Sequence, residues 1–287
     1  MSWLTHGLVA AVPPVRAGRV ISAATAAALV RDGDTIAVGG GLGGVDGVPA
    51  AMEARFLQGR SGPGGPQGLT LICVSDQRGG RARGINHLAH PGLLKRLITG
   101  SWSQPMGFRE LAASNRLEAY ALPQGAIVHM LRASVAQRPG YISKVGLGTP
   151  ADPRRGGGKL NLRTRDDLVQ VVTVAGSDAL MYSALLVDVA LIQGLVSDRA
   201  GNLAVRRSVA MEVHAVASAA RVNGGLVIAQ VQQVVTPDEM PSDAAVIAGG
   251  LIDHVVVTPR ADRVWETFAE PPPLWAGASR PLSLPSG

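Results

Sequence analysis

The chain has 287 residues and a formal net charge of +6; 46% of its residues are hydrophobic and 17% are charged. A chain of this length and hydrophobic content can bury a hydrophobic core without disulfide bonds, which argues against bulk disorder. No apolar run approaches the ~20 residues of a membrane span, so we expect no membrane partner. Arginine supplies 24 of the 27 basic residues, since lysine occurs only at Lys95, Lys144 and Lys159. Without interleaved aromatic residues this charge does not predict a nucleic-acid surface, but it suits anionic small substrates.

The N-terminus and the single cysteine indicate the cellular compartment in which we expect the protein. Residues 1–18 lack a basic n-region, and Pro13 and Pro14 interrupt their apolar run, so we interpret them as an N-terminal extension rather than a signal peptide. Cys73 lies within the apolar run 69–74, which is typical of a core residue and not of a nucleophile. With one cysteine no disulfide can form within the chain, which fits a reducing cytoplasm.

The first predicted elements surround a glycine-rich loop. Ser22 can cap a helix. The apolar run 35–38 then predicts a buried strand that leads directly into the loop 39–44, and Pro49 suits the first turn of the following helix. A strand, a glycine loop and a helix in this order present backbone N–H groups and a positive helix end to an anion. The loop is therefore either a substrate site or a tight turn.

Gly39, Gly41 and Gly44 formally satisfy the G-x-G-x-x-G fingerprint of dinucleotide-binding loops. That fingerprint requires a helix that begins inside the motif and an acid about 20 residues further on, where this chain has the turn-rich connector 59–68. A nicotinamide cofactor is therefore the weaker alternative. If the N–H groups of Gly40 and Gly41 point at an acyl oxygen, they could contribute to an oxyanion hole.

Strands and helices alternate through the next part of the chain. The predicted elements are a strand at 70–74, a short helical patch at 93–97, a helix at 109–116, a strand at 118–122 and a helix at 126–137. This alternation predicts an α/β fold, with a mostly parallel sheet and helices on both faces. In such sheets the loops at the carboxyl ends of the strands build the site. Two loops qualify, the glycine loop and Pro123-Gln124-Gly125.

Gln124 has two interpretations that chemistry alone does not separate. As a short amide at a strand end beside Gly125, it can donate a hydrogen bond to a carbonyl or carboxylate oxygen. As a residue at a helix N-terminus, it would present only a solvated amide. Beyond it, the stretch 139–165, rich in Gly, Pro and Arg, is predicted to be a long excursion packed on the domain, with Gly146 and Gly148 near the site.

The remaining predicted elements continue the alternation. They are strands at 168–174, within 184–193, at 225–231 and at 252–258, a hairpin turn at 198–202 and a helix at 209–220. The last residues, 269–287, are rich in proline, and we expect little regular structure there. We therefore place one domain at 19–268, between the N-terminal extension and this tail.

His87 and His90 stand three residues apart, which would place them on one face of a helix. Zinc is conceivable there, but no Cys or carboxylate lies nearby in the sequence to complete a metal shell. We therefore interpret both as structural histidines and expect no metal site. Asn86 beside them could line a pocket, and His129 is likewise interpreted as structural.

Several sequence blocks, taken in order, resemble family I coenzyme A transferases, and in particular the acetate/propionate branch. The resemblance covers about residues 19–268 and rests on the blocks Val20–Ala24, Val30–Gly40, Gly84–His90, Tyr120–Gly125, Lys144–Thr149 and Asp188–Gly194. It implies an α/β fold of the CoA-transferase superfamily (NagB/RpiA/CoA transferase-like). It also implies that coenzyme A is a substrate and that no cofactor is bound permanently.

The resemblance implies a ping-pong reaction as well. A glutamate carboxylate attacks the acyl-CoA thioester, an acyl–glutamyl anhydride forms, and CoA attacks that anhydride to leave a glutamyl-CoA thioester. In relatives this glutamate lies in a Glu-x-Gly setting in the second half, whereas none of the seven glutamates here is followed by glycine two residues later. The chain therefore resembles the α half alone. We expect a β subunit that carries Glu-x-Gly, a hetero-oligomer, and acyl-CoA and carboxylate substrates.

On this resemblance the isolated chain would be inactive and the catalytic glutamate would lie on the partner. The substrate-binding residues of this chain would be Gly39, Gly40, Gly41, Asn86, Gln124, Gly125, Gly146 and Gly148. Relatives usually have an aromatic residue after the Gly-Gly of the first loop, where this chain has Gly41-Leu42. A looser loop could admit a bulkier acyl group, or could belong to the subunit of an acyl-CoA hydrolase or lyase. The third alternative is a non-catalytic assembly subunit.

Overall fold

The computed structural model describes residues 19–40, 46–59, 65–74, 83–103 and 106–258. Gly41, the expected N-terminal extension 1–18 and the expected tail 269–287 lie outside these residues. In the described part of the chain, no helix combines the length and the apolar character needed to cross a membrane.

The described residues form five α-helices and fifteen strands. The helices are α1 (Ala23–Ala28), α2 (Gly47–Gly59), α3 (Met106–Ala113), α4 (Gln124–Val135) and α5 (Ala210–Val222). The strands are β1 (Arg19–Ile21), β2 (Thr35–Gly39), β3 (Leu69–Cys73), β4 (Leu94–Thr99), β5 (Glu118–Ala121), β6 (Gly140–Ser143), β7 (Val169–Val174), β8 (Ser177–Ser183), β9 (Val189–Gln193), β10 (Val196–Asp198), β11 (Leu203–Val205), β12 (Leu226–Val231), β13 (Val234–Val235), β14 (Ala245–Ile247) and β15 (His254–Val257).

The central sheet holds eight parallel strands in the order β1-β15-β12-β9-β2-β3-β4-β5. Parallel sheets are covered on both faces, so their strands are nearly continuous apolar runs. Strand β9 shows this, because each of its five residues is buried. The α/β fold with a mostly parallel sheet, expected from the alternation of elements, is confirmed.

Two hydrophobic clusters cover the two faces of this sheet. Along β2, Ala37 packs in one cluster with residues of α4 and α5, whereas Ile36 and Val38 pack in the other with residues of α1, α2 and α3. This division follows from strand geometry, because successive side chains point to opposite faces. The helices therefore lie on both faces, as the sequence predicts.

The order of the strands reverses between β2 and β9, so these two strands form the topological switch point of the sheet. Strands β3, β4 and β5 follow β2 on one side, whereas β12 and β15 follow β9 on the other side. Helix α2, after β2, packs on one face, and α5, between β9 and β12, packs on the opposite face. Open α/β sheets bind ligands in the crevice outside the carboxyl ends of the strands at such a switch point, and we refer to this place in the fold as the crevice.

Two smaller sheets are built from segments inserted into this frame. Strands β6, β8 and β7 form an antiparallel sheet, and β13, β10, β11 and β14 form a mixed one. The strand expected at 168–174 therefore exists, but it belongs to the antiparallel sheet. The hairpin turn expected at 198–202 is confirmed, since it joins the antiparallel strands β10 and β11.

One expected element is wrong. Residues 93–97, expected as a helical patch, lie mostly in strand β4, which begins at Leu94. Leu97 and Ile98 are both buried, and β4 pairs with β3 on one side and β5 on the other. A short apolar run cannot separate a helix from a strand by its period, and here the pairing with neighbouring strands decides.

Candidate functional site

Gly40 lies at the switch point, directly after the last residue of β2. Its φ angle is +123°, which residues with a side chain rarely adopt. A Cβ atom at this position would lie 2.6 Å from the backbone oxygen of Gln193 and 2.8 Å from its backbone nitrogen. This close approach of two backbones requires glycine at position 40, and it holds the start of the glycine loop against the end of β9.

A buried carboxylate binds the backbone N–H of Gly40. Glu212, in the first turn of α5, accepts a hydrogen bond from the Gly40 N–H at 3.1 Å. Gly39 packs against the same helix, where a Cβ would lie 3.3 Å from a methyl carbon of Val216. The Gly40 N–H is therefore engaged by protein in this structure, and Gly41 lies outside the described residues. The oxyanion role expected for both N–H groups stays a prediction.

Two buried glutamines join the start of α2, the helix after the glycine loop, to the sheet. Gln230 of β12 accepts a hydrogen bond from the backbone N–H of Val48, in the first turn of α2, at 3.2 Å. Its amide nitrogen donates to the side-chain oxygen of Gln193 at 3.2 Å, and the Gln193 amide donates to the Gly194 carbonyl at 2.8 Å. Because these buried amides have partners, they stabilise the crevice wall instead of destabilising it.

Gln124 and Gly125 lie at the same carboxyl edge of the sheet as Gly40, three strands away. Neighbouring strands are about 4.8 Å apart, so the ends of β2 and β5 are separated by about 14 Å. Gln124 is the first residue of α4, and both residues are exposed. A Cβ at Gly100, directly after β4, would lie 3.0 Å from the Gln124 Cβ. Gln124 thus occupies the helix N-terminus of its second interpretation, with an amide that remains accessible to a ligand.

Gly146 and Gly148 lie in a turn that follows β6 of the small antiparallel sheet. Their φ angles are +93° and +70°. The Pro150 carbonyl accepts the N–H of Gly158, whose own carbonyl accepts the N–H of Ala121 at the end of β5, each at 2.8 Å. These bonds tie the glycine turn to the β5 end of the carboxyl edge, so the expected excursion packs on the domain.

His87 and His90 share a carboxylate that is distant in the sequence. Glu53 of α2 bonds Nδ1 of His87 through one oxygen and Nε2 of His90 through the other, each at 2.5 Å. Nε2 of His87 also lies 3.4 Å from Asp46, which accepts the N–H of Gly84 at 2.5 Å. Because Asp46 directly precedes α2, this cluster connects that helix, the segment after the glycine loop and the 3₁₀ helix Gly84–Leu88, which carries His87.

The cluster shifts the pKa of Glu53. Burial by itself would raise this pKa, but hydrogen bonds from His90 and His87 outweigh burial and hold it below its ordinary value. The premise that no carboxylate lies near the histidines is therefore wrong in three dimensions. Asn86, on the same 3₁₀ helix, is buried.

No metal centre emerges from the described residues, since no group of three or more His, Cys, Asp or Glu side chains among them could hold a metal ion. Cys73 is buried in β3, and its burial raises the pKa of the thiol. Its interpretation as a core residue is confirmed.

Comparison with known proteins decides the family. Residues 20–258 match the family model described as coenzyme A transferase. The chain belongs to the coenzyme A transferase family. The resemblance seen in the ordered sequence blocks is thereby confirmed.

The relatives of this transferase chain include longer proteins and separate subunits. The caffeate CoA-transferase of Acetobacterium woodii is 35% identical over 92% of this chain and 51% of that protein. The crystal structure of acyl-CoA transferase YdiF from Escherichia coli O157:H7 is 34% identical, with a TM-score of 0.77, over 86% of this chain and 48% of that one. YdiF has also been solved as a thioester complex with CoA. The alpha subunit of the acetate CoA-transferase of Escherichia coli is 25% identical over 79% of this chain and 91% of its own length. This chain thus spans about half the length of the first two.

The site predicted from the sequence did not include four polar residues of this CoA-transferase chain that lie around the crevice or support the elements beside it. They are Glu53, Gln193, Glu212 and Gln230. The two glutamines had a usable signal, since each is a polar residue within the last two positions of a buried apolar strand, in LIQG or in VIAQV. The two glutamates had none, because a carboxylate on an amphipathic helix ordinarily faces solvent.

We expect Gly40→Ala to destabilise the protein more than Gly33→Ala does. Both glycines have positive φ angles, but a Cβ at Gly33 meets nothing within 4 Å, whereas a Cβ at Gly40 meets the Gln193 backbone. Backbone strain alone should lower the free energy of unfolding by about 1–2 kcal/mol in Gly33→Ala. Gly40→Ala should lose about 1–3 kcal/mol more from overpacking. Urea denaturation measures both, and equal losses would contradict the close approach.

We expect Glu53→Gln to lower the free energy of unfolding near neutral pH, because two histidines lose a charged partner. The folded pKa of Glu53 is depressed, so its carboxylate stabilises the fold above its ordinary pKa of 4.5, and this contribution is lost as the pH falls through the folded pKa. The difference between wild type and variant should therefore shrink below that pH. Denaturation across this range measures it, with Asp243→Asn, at an exposed position, as the control. A difference independent of pH would refute the pairing.

Proposed function

We propose that this chain is the α half of a CoA-transferase that moves coenzyme A between an acyl-CoA and a carboxylic acid. The observation that carries the proposal is the similarity to the YdiF acyl-CoA transferase, with a TM-score of 0.77 over 86% of the chain. That enzyme has been solved as a thioester complex with CoA. A crevice at a switch point, with an exposed amide at the same edge, supports a site for a thioester carbonyl. The single buried cysteine supports a cytoplasmic setting.

The proposed reaction is a ping-pong exchange through a glutamate of the partner. Its carboxylate oxygen bonds to the thioester carbonyl carbon and the C–S bond breaks, which releases CoA thiolate and leaves an acyl–glutamyl anhydride. The thiolate then bonds to the glutamyl carbonyl carbon, and the acid leaves as its carboxylate. A glutamyl-CoA thioester remains. The carboxylate of a second acid runs the same steps in reverse, so atoms and charge balance throughout.

The part of this chain is to bind the thioester and to stabilise the negative charge that develops on its oxygen. N–H donors aimed at that oxygen lower the barrier. Gln124 would donate through its side-chain amide and Gly41 through its backbone N–H. Gly40 would take part only by exchanging its bond to Glu212 for one to the substrate. The other proposed contacts with acyl-CoA come from Gly39, Asn86, Gly125, Gly146 and Gly148.

The nucleophile is proposed to lie on a β subunit that carries Glu-x-Gly. No glutamate of the sequence stands in that setting. The chain also matches the alpha subunit of an acetate CoA-transferase over 91% of that relative's length, which supports an arrangement of separate subunits. The two chains would form a hetero-oligomer with the site between them, and the isolated chain would be inactive.

The decisive experiment is CoA transfer by this chain in the presence of a co-purifying chain with Glu-x-Gly. With acetyl-CoA and propionate as probes, propionyl-CoA should form only when both chains are present. Borohydride trapping after incubation with acyl-CoA should modify the glutamate of the second chain and leave this one unmodified. Full turnover by this chain alone would contradict the divided site. CoA release independent of propionate would instead identify an acyl-CoA hydrolase.

We expect Gln124→Ala to lower kcat of that complex by about 100-fold, because one hydrogen-bond donor to the developing oxyanion is lost. Its thermal unfolding should stay unchanged, since Gln124 is exposed. Gln170→Ala removes another exposed glutamine, on β7 of the antiparallel sheet, and should keep the wild-type kcat. An unchanged kcat in Gln124→Ala would leave Gln124 with only its role at the helix N-terminus.

A further inference from the structure

A groove on the outer side of α4 and α5 has no part in the proposed transfer chemistry. It encloses about 1040 Å³ and is lined by residues of α4, α5, β6 and the loop before β6. Gly40, Gln124 and Gln193 are not among its lining residues. Its volume matches the upper end of the range of about 300–1,000 Å³ that small-molecule sites occupy.

The groove presents two arginines and no carboxylate. Arg132 and Arg138 line it, together with His129 and His214, and none of its lining residues, all within the described part of the chain, is Asp or Glu. Arg132 contacts the sulfur of Met211 at 3.8 Å, which carries no charge to neutralise it. Neither arginine forms an ion pair with a residue that the structure describes, whereas three other arginines pair with carboxylates. Two guanidinium groups are therefore available to an anionic ligand.

One wall of the groove is flat and aromatic. The rings of His129 and Tyr141 are stacked, with centroids 4.3 Å apart and planes inclined by 16°. His129 is exposed, so this stacked pair lies within reach of a further flat group. Stacking on such a platform tolerates any base, because every base has a π-face.

We propose that this groove binds a nucleoside phosphate, with the base against the His129–Tyr141 pair and the phosphates on Arg132 and Arg138. The planar guanidinium group matches phosphate oxygens in a bidentate geometry, and this is the contact that arginine makes best. A small carboxylate would engage one guanidinium group and leave the aromatic wall bare. A nucleoside phosphate uses both features and the volume between them.

Helix α5 connects this groove to the crevice. Glu212 bonds the Gly40 N–H on one side of the helix, while Met211 and His214 line the groove. Two ligands have the required chemistry, a free adenine nucleotide and the nucleotide end of CoA, which is an adenosine 3′-phosphate with a 5′-diphosphate. The proposal does not depend on the transfer reaction, because nucleotide binding is measured in its absence.

The test is isothermal titration of the full chain with ADP and with adenosine 3′,5′-bisphosphate. Arg132→Ala and Arg138→Ala should each raise Kd by about tenfold or more, the effect of losing a charge-assisted hydrogen bond. His129→Ala should raise Kd by about tenfold through the lost stacking. Arg116→Ala removes an exposed arginine outside the groove and should leave Kd unchanged.

Competition separates the two sources of the ligand. If CoA displaces ADP and pantetheine does not, the groove holds the nucleotide end of CoA. If CoA leaves ADP bound, the groove holds a free nucleotide. Absence of binding at millimolar nucleotide would overturn the proposal. So would arginine variants that bind as tightly as Arg116→Ala, and neither outcome would affect the test of CoA transfer.

Discussion

The site depends on one close approach between two backbones. Gly40 passes the backbone of Gln193 so closely that no side chain fits between them. Strands β2 and β9 are neighbours at the switch point, where the order of the strands reverses. The contact between Gly40 and Gln193 therefore sets the distance between the two strands at the base of the crevice. A larger residue at position 40 would force these two carboxyl ends apart, in the part of the sheet that carries the proposed chemistry.

Buried polar side chains make this arrangement specific. Burying a carboxylate or an amide is unfavourable unless it gains hydrogen bonds. Glu212 accepts the N–H of Gly40 at the start of the glycine loop, and Gln230 accepts the N–H of Val48 in the helix that follows the loop, so residues on both sides of the loop satisfy polar groups of the core. The partners come from α5 and β12, more than 170 residues further along the chain. The loop is thus anchored by the second half of the fold.

Supports for the loop come from both faces of the sheet. On one face, Glu212 of α5 accepts the N–H of Gly40, while Met211 and His214 of the same helix line the groove. On the other face, Glu53 of α2 holds His87, which lies beside Asp46 at the end of the loop. Helix α5 therefore joins the crevice to the groove. The Glu53 cluster joins the start of α2, after the glycine loop, to the 3₁₀ helix.

The sequence by itself determined the class of fold and indicated the edge on which we place the candidate site. Apolar runs such as 35–38 and 70–74 identify buried strands because both faces of a parallel sheet are covered, and their alternation with helices leaves few topologies. The ordered blocks around Gly39 and Gln124 were enough to indicate the family. Such signals are local, and local periodicity records which faces of an element are apolar.

Only the tertiary structure decided which distant groups meet. The run 93–97 becomes a strand because β3 and β5 pair with it, and Glu53 becomes the partner of His87 although 34 residues separate them. The engagement of the Gly40 N–H by Glu212 likewise spans 172 residues. Hydrogen bonds and steric contacts act over a few ångströms in space, and a sequence read locally carries no record of which remote side chains come that close.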